Sequence, residues 1–145
     1  MIIKMKSVMK NEVGEFLKKS GIKPSVPRMK IMEFLMKTKK HPSVDTIYKE
    51  LCDEIPTLSK ATVYNTLKLF VDNGVANAVN IEDNELRFDG DTTLHGHFKC
   101  KACDIIYDFD LNNHQPDISA IKNFRIDETQ IYYKGICNKC LKKLI

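Results

Sequence analysis

The chain has 145 residues, 43% of them apolar and 29% charged, which places it among globular proteins and excludes a disordered or collagen-like chain. No apolar run is long enough to cross a membrane, and the opening MIIKMKSVMK lacks the apolar core of a secretion signal, so a reducing cytoplasmic setting is expected. The net charge of +4 is uneven: residues 1–80 hold 14 Lys/Arg against 8 Asp/Glu, residues 81–145 hold 9 against 11, so a basic half suited to a polyanion is joined to a mildly acidic one.

Periodicity predicts four helices in the basic half. The first spans residues 8–19, with Phe16 and Leu17 on its apolar stripe and Gly21 as its stop. The second begins near Pro27, a residue suited to a first turn, and carries Ile31, Met32, Phe34, Leu35 and Met36. After His41-Pro42, Ser43 is expected to cap a third helix running to about Glu54, with Ile47, Tyr48, Leu51 and Ile55 turned inward. Cys52 shares that face and reads as a small packed hydrophobe; Pro56 ends the helix.

Ser59 then caps a fourth helix over residues 60–73, with Gly74 as its exit. Val63, Leu67, Phe70 and Val71 fall within one arc, while Ala61, Asn65 and Lys68 fall opposite, with Tyr64 at the boundary. A small side chain permits approach to a major groove, an amide can read a base edge and a lysine can meet phosphate, so this face is a candidate DNA-recognition surface. Residues 75–80 and 85–89 read as strands around a polar turn at 81–84. Helices followed by such a hairpin make a winged helix, with Arg87 and the N-terminal lysines as candidates for phosphate contacts. The expected organisation is a winged-helix DNA-binding domain over 1–84, a hinge over 85–93 and a second domain over 94–145.

In the acidic half the period shortens. Strands are expected at 94–99, 104–109 and 129–136, with a short helix at 117–124, giving a small α/β unit and an α+β protein as a whole. His95 and His97 stand two apart, so a strand would project both imidazoles from one face. Asp108 follows on the next strand, Asp89 ends the wing and His41 lies in the first half. Three imidazoles and two carboxylates without sulfur form a hard donor set that suits divalent iron, manganese or zinc, and an ion held from both halves would set the angle between them. The alternative is that His95 and His97 are ordinary strand histidines. His114 has no evident partner and reads as a surface residue.

Cys100-Lys-Ala-Cys103 and Cys137-Asn-Lys-Cys140 use four of the five cysteines. Each pair can give two sulfurs to one metal from a tight turn, and four thiolates close a zinc tetrahedron with no open position for chemistry. A dithiol redox motif and two disulfides compete with this reading, but no βαβ pattern accompanies the pairs. The same sets leave a metalloenzyme or thiol oxidoreductase as the reading from another class. Against it, no HExxH or HxE pairing supplies a positioned acid or base.

Ala61-Thr-Val-Tyr64-Asn-Thr-Leu67, the His41-Pro-Ser helix entry, His95-Gly-His97, and Cys100-x-x-Cys103 followed by Asp108 together resemble the ferric uptake regulator superfamily over nearly the whole chain. Two aspartates at 89 and 108, and Asn65 after the tyrosine, are most similar to its peroxide stress (PerR-like) branch. The resemblance implies a homodimeric, metal-dependent repressor that binds palindromic operator DNA and dimerises through its C-terminal half. It implies structural Zn2+ on Cys100, Cys103, Cys137 and Cys140, and a regulatory Fe2+ or Mn2+, with Zn2+ as a substitute, on His41, Asp89, His95, His97 and Asp108. In that branch peroxide is expected to oxidise His41 or His95 and release DNA; an iron- or manganese-responsive uptake repressor is the alternative within the superfamily. Leu94 and Gly96 stand where some iron regulators carry ligands of a further site, so two metals per subunit are expected.

Overall fold

The computed structural model of the protein describes residues 10–38, 40–80, 85–111 and 116–144. The start of the first helix, the turn at 81–84, the N-terminal lysines and His114 lie outside the described residues. The chain divides into two compact units, Met1–Thr92 and Thr93–Ile145.

In the first unit the helices are α1 (Lys10–Lys19), α2 (Val26–Lys37), α3 (Val44–Leu51) and α4 (Lys60–Asp72). One device starts three of them. Ser25 Oγ accepts the Arg28 N–H at 3.3 Å, Ser43 Oγ that of Thr46 at 3.2 Å and Ser59 Oγ that of Thr62 at 3.1 Å, each satisfying a donor that the first turn leaves open. Pro27 sits in the first turn of α2, where its missing N–H costs nothing. Gly21 and Gly74 exit their helices at φ +82° and +73°, a conformation that a side chain would strain.

Leu17, Ile31, Met32, Leu35, Ile47, Val63, Leu67 and Phe70 form one buried core, as the apolar arcs predict. α3 ends at Leu51, short of the expected Glu54, and residues 52–54 go on as turns, with the Ile55 N–H donating to the Leu51 carbonyl at 3.0 Å just before Pro56, a residue that disfavours helix at the position ahead of it. Cys52 therefore sits at the C-cap, half-exposed, with its thiol directed at the Lys49 carbonyl at 3.6 Å rather than packed in the core. The wing is β1 (Asn77–Val79) paired antiparallel with β2 (Arg87–Asp89), with Ala78 opposite Phe88 and Phe88 turned into the core. β2 lies within the 85–93 stretch read as a hinge.

The second unit is a three-stranded sheet of β3 (Gly96–Cys100), β4 (Ile106–Phe109) and β5 (Ile131–Gly135) in the order β4-β3-β5, antiparallel on one side of β3 and parallel on the other. A six-residue helix, α5 (Asn138–Lys143), follows. Residues 117–124 do not form the expected helix: only a 3-10 turn at Ser119–Ile121 is present, its first N–H accepted by Asp117 Oδ1 at 2.9 Å. Ile118 and Phe124 are 48% and 68% exposed, so no packed apolar face stabilises a longer helix here.

Candidate metal centres and nucleic-acid face

Cys100 ends β3, Cys103 stands in the turn after it, Cys137 caps α5 and Cys140 lies in that helix. The turn is closed by the Asp104 N–H donating to the Cys100 carbonyl at 3.0 Å, with Asp104 at φ +61°. One sulfur from each cysteine lies within 4.8 Å of the other three, and Cys103 and Cys137 are 3.9 Å apart. Sulfurs at about 2.3 Å from a tetrahedral zinc stand about 3.8 Å from one another, whereas a disulfide requires about 2 Å. All four cysteines are free. The donor set therefore fits zinc.

The electrostatics point the same way. The Cys137 N–H donates to Cys100 Sγ at 3.4 Å and brings that thiol down to about 6, while the Cys140 N–H lowers Cys137. Cys140, hydrogen-bonded to the Cys137 sulfur beside it, is pushed up to about 12. Sulfurs so close cannot all ionise without a cation between them, and a divalent ion removes the conflict.

The imidazoles and carboxylates form two groups, one on each unit. In the first, the Phe88 N–H donates to the Pro42 carbonyl at 3.0 Å and Ser43 bridges antiparallel to Arg87. Two residues back from Ser43 and two on from Arg87, this register brings His41 opposite Asp89, with Nε2 3.4 Å from Oδ2 and the histidine 3% exposed. In the second, His97 and Asp108 are direct cross-strand partners of β3 and β4, with Nε2 3.4 Å from Oδ1. His95 precedes the strand instead of lying within it, yet its Nε2 stands 3.7 Å from the same oxygen and its ring centroid 4.5 Å from that of His97. Its Nδ1 donates to the Thr93 carbonyl at 2.7 Å, which in the neutral ring puts the lone pair on Nε2, the nitrogen that would face a metal. These N···O separations exceed those of ordinary hydrogen bonds and match two ligands that share an ion at about 2.1 Å from each.

On α4, Ala61, Tyr64, Asn65 and Lys68 are all exposed while Val63, Leu67 and Phe70 are buried, so the recognition face proposed from periodicity is presented outward. Thr66 is buried too, a position that the helical arc did not single out. Arg87 is turned partly inward: its Nε is buried without a hydrogen-bond partner and its terminal nitrogen lies 3.7 Å from Glu85. An open groove beside the helix is lined by Asn65, Thr62, Ser25, Lys23 and Arg28. Sequence reasoning passed over Lys23 and Arg28; their signal was the Ser-x-Pro-Arg cap, which fixes Arg28 in the first turn of α2 next to α4. Among the described residues no helix is long and apolar enough to cross a membrane.

Residues 19–134 match the model of the Ferric uptake regulator family. The chain is 33% identical over 139 residues to the peroxide operon regulator of Bacillus subtilis strain 168, covering 91% of this chain and 93% of that one. Among solved structures it is similar to the Vibrio cholerae ferric uptake regulator (30% identity, TM-score 0.69, 86% and 98% of the two chains). It is also similar to PerR from Streptococcus pyogenes, described for peroxide sensing and gene regulation (29% identity, TM-score 0.52, 90% and 92%). A winged helix with an outward polar face, a four-thiolate group and a sulfur-free histidine and aspartate set thus accompany a match over most of the sequence, and the chain belongs to the ferric uptake regulator family of metal-responsive transcriptional regulators.

Proposed function

We propose that this protein is a cytoplasmic, homodimeric repressor that binds palindromic operator DNA in its metal-loaded form and lets go when hydrogen peroxide oxidises a histidine of its regulatory site. In this reading Cys100, Cys103, Cys137 and Cys140 hold structural Zn2+. His41 and Asp89 from one unit join His95, His97 and Asp108 from the other around Fe2+ or Mn2+, with Zn2+ as a substitute.

The observation that carries the proposal is the pairing of histidine with aspartate on both units, His41 with Asp89 and His97 with Asp108, in a set that holds no sulfur. Such ligands leave ferrous ion exchangeable and reactive. When bound, ferrous ion supplies one-electron reduction of hydrogen peroxide and so produces an oxidant within reach of its ligands. Likeness to the peroxide branch assigns that oxidation to the ring of His41 or His95. An oxidised ring is a weaker ligand, and the two units then lose the tie that fixes their angle. With the tie in place, two α4 helices of a dimer meet successive major grooves about 34 Å apart, where Ala61, Tyr64, Asn65 and Lys68 face base edges and phosphates. Arg87 and the groove residues Lys23 and Arg28 add backbone contacts that set register.

Peptide mass mapping of iron-loaded protein after peroxide tests the reading. Oxygen incorporation at His41 or His95 in step with loss of DNA binding is expected. Loss of binding with both histidines unmodified removes the peroxide mechanism.

A second reading, an iron- or manganese-responsive uptake repressor, is favoured by the higher TM-score to the Vibrio cholerae regulator, 0.69 against 0.52. It expects DNA affinity to follow metal concentration, with neither histidine modified. The enzyme reading has little left to stand on, since family members are transcription regulators and a closed four-thiolate group offers no open position.

A further inference from the structure

Tyr107 lies in β4 directly opposite Phe98 of β3, and the two rings are in contact with centroids 6.5 Å apart. Side chains alternate across a strand, so Phe98 shares a sheet face with Cys100, and Tyr107, as its cross-strand partner, is on that face too. His97 and Asp108 occupy the opposite face. Both aromatic rings pack against the buried cluster of Cys100, Cys137 and Cys140.

The ring of Tyr107 is only half-buried, but its hydroxyl oxygen is fully buried and makes no conventional hydrogen bond. The phenol is therefore turned tip-inward, the reverse of the usual arrangement in which the hydroxyl reaches water. Leaving a buried hydroxyl without a partner costs about 1–3 kcal/mol, so a tyrosine held this way calls for an acceptor among the groups it packs against. The groups packed around the ring are the sulfurs of the cysteine cluster, Cys137 among them, and a sulfur is the acceptor that such a hydroxyl can reach. A thiolate carries far more negative charge than a thiol and is the better acceptor, so the bond matures as the sulfur is drawn to a metal.

We propose that Tyr107 is a positioning residue for the four-thiolate zinc group, its hydroxyl donating a hydrogen bond to the Cys137 thiolate. The proton stays on the phenol oxygen. The bond directs the Cys137 lone pairs, withdraws charge from the sulfur and makes it a weaker nucleophile. The inference rests on the zinc reading of these cysteines.

The test compares wild-type protein with Tyr107→Phe, which keeps the ring and its contacts, after loading each with Co2+ and separately with Zn2+ under reducing conditions. Loss of the hydrogen bond raises the energy of the sulfur electrons, so the thiolate-to-cobalt charge-transfer band is expected to move to longer wavelength. Zinc affinity, measured by competition with a chromophoric chelator, is expected to fall about tenfold or more, as for other partners of metal ligands. A packing role alone moves the thermal transition but not the charge-transfer band. A wild-type band that is unchanged in Tyr107→Phe, with equal zinc affinity, overturns the inference and leaves the zinc reading intact. A wild-type protein that shows no thiolate-to-cobalt band removes both.

Discussion

Gly96 stands between His95 and His97, and the ring of Phe109 occupies the space where its side chain would be: an added Cβ would lie 2.1 Å from the ring. Phe109 in turn stacks on Tyr133 at 5.9 Å, so any larger residue at 96 must dislodge a supported aromatic. Gly96→Ala is expected to lower stability of the second unit by about 1–3 kcal/mol through overpacking. Because the displaced strand carries His97, it should also weaken binding of manganese, read by calorimetric titration beside thermal unfolding. At Cys100 the consequence is one of pH. Its thiol is lowered to about 6 by the Cys137 N–H, so the folded state favours the thiolate. The stabilisation that this gives is present above the ordinary thiol range and is lost as pH falls through about 6. Acidification from pH 8 to pH 5 is accordingly expected to release zinc as protons displace it, a loss that a zinc-sensitive dye would follow; retention of zinc at pH 5 would contradict the thiolate assignment.

Caps decide much at the level of the elements. Ser59 starts the helix that bears the proposed recognition face, and Ser59→Ala is expected to cost about 1 kcal/mol in unfolding by denaturant and to weaken DNA binding without changing metal content. That cap, together with Ser43, Pro56 and Gly74, made α3 and α4 readable from the chain, since each acts through neighbours within four residues. Elements that depend on distant partners were less readable. The parallel pairing of β5 with β3 joins residues 35 apart and left no local mark, and α5, at six residues, is too short for a helical period to show. Residues 117–124 misled in the opposite direction: Ile118, Ile121 and Phe124 have helical spacing, but Ile118 and Phe124 are exposed and Ile121 only partly buried, and spacing with so little burial makes only a 3-10 turn. Whereas His95 meets His97 from just before the strand and not, as expected, from within it, the cysteine group was legible because a spacing of three in a turn is itself its geometry. Tyr107 and Gly96 were not, because their roles come from cross-strand neighbours.

As a molecule, the protein spreads its stability unevenly. Among the described residues, the first unit buries seventeen apolar residues in one cluster, while the second has three buried cysteines with Phe98, Tyr107 and Ile136 against them and Ile106 buried besides. A core of that size gives little hydrophobic stabilisation, whereas a structural zinc adds about 10–16 kcal/mol of binding free energy at neutral pH. Chelation is therefore expected to unfold the second unit and spare the first. Far-ultraviolet circular dichroism should keep most of its helical signal, and limited proteolysis should cut preferentially beyond Thr92; a fully protected second unit after verified zinc removal would refute this division.

β3 carries His97 and, three residues further on, Cys100, so one strand about 10 Å long between these positions belongs to both donor groups. On the proposed mechanism, mild oxidant acting at a histidine would leave that strand anchored by its sulfur end. Oxidant strong enough to strip the sulfur end takes away the footing of the histidine as well. If the histidine set takes a peroxide signal as proposed, the regulator has two grades of surrender, a local one that answers a signal and a terminal one that answers damage, and the same short strand is where the second overrides the first.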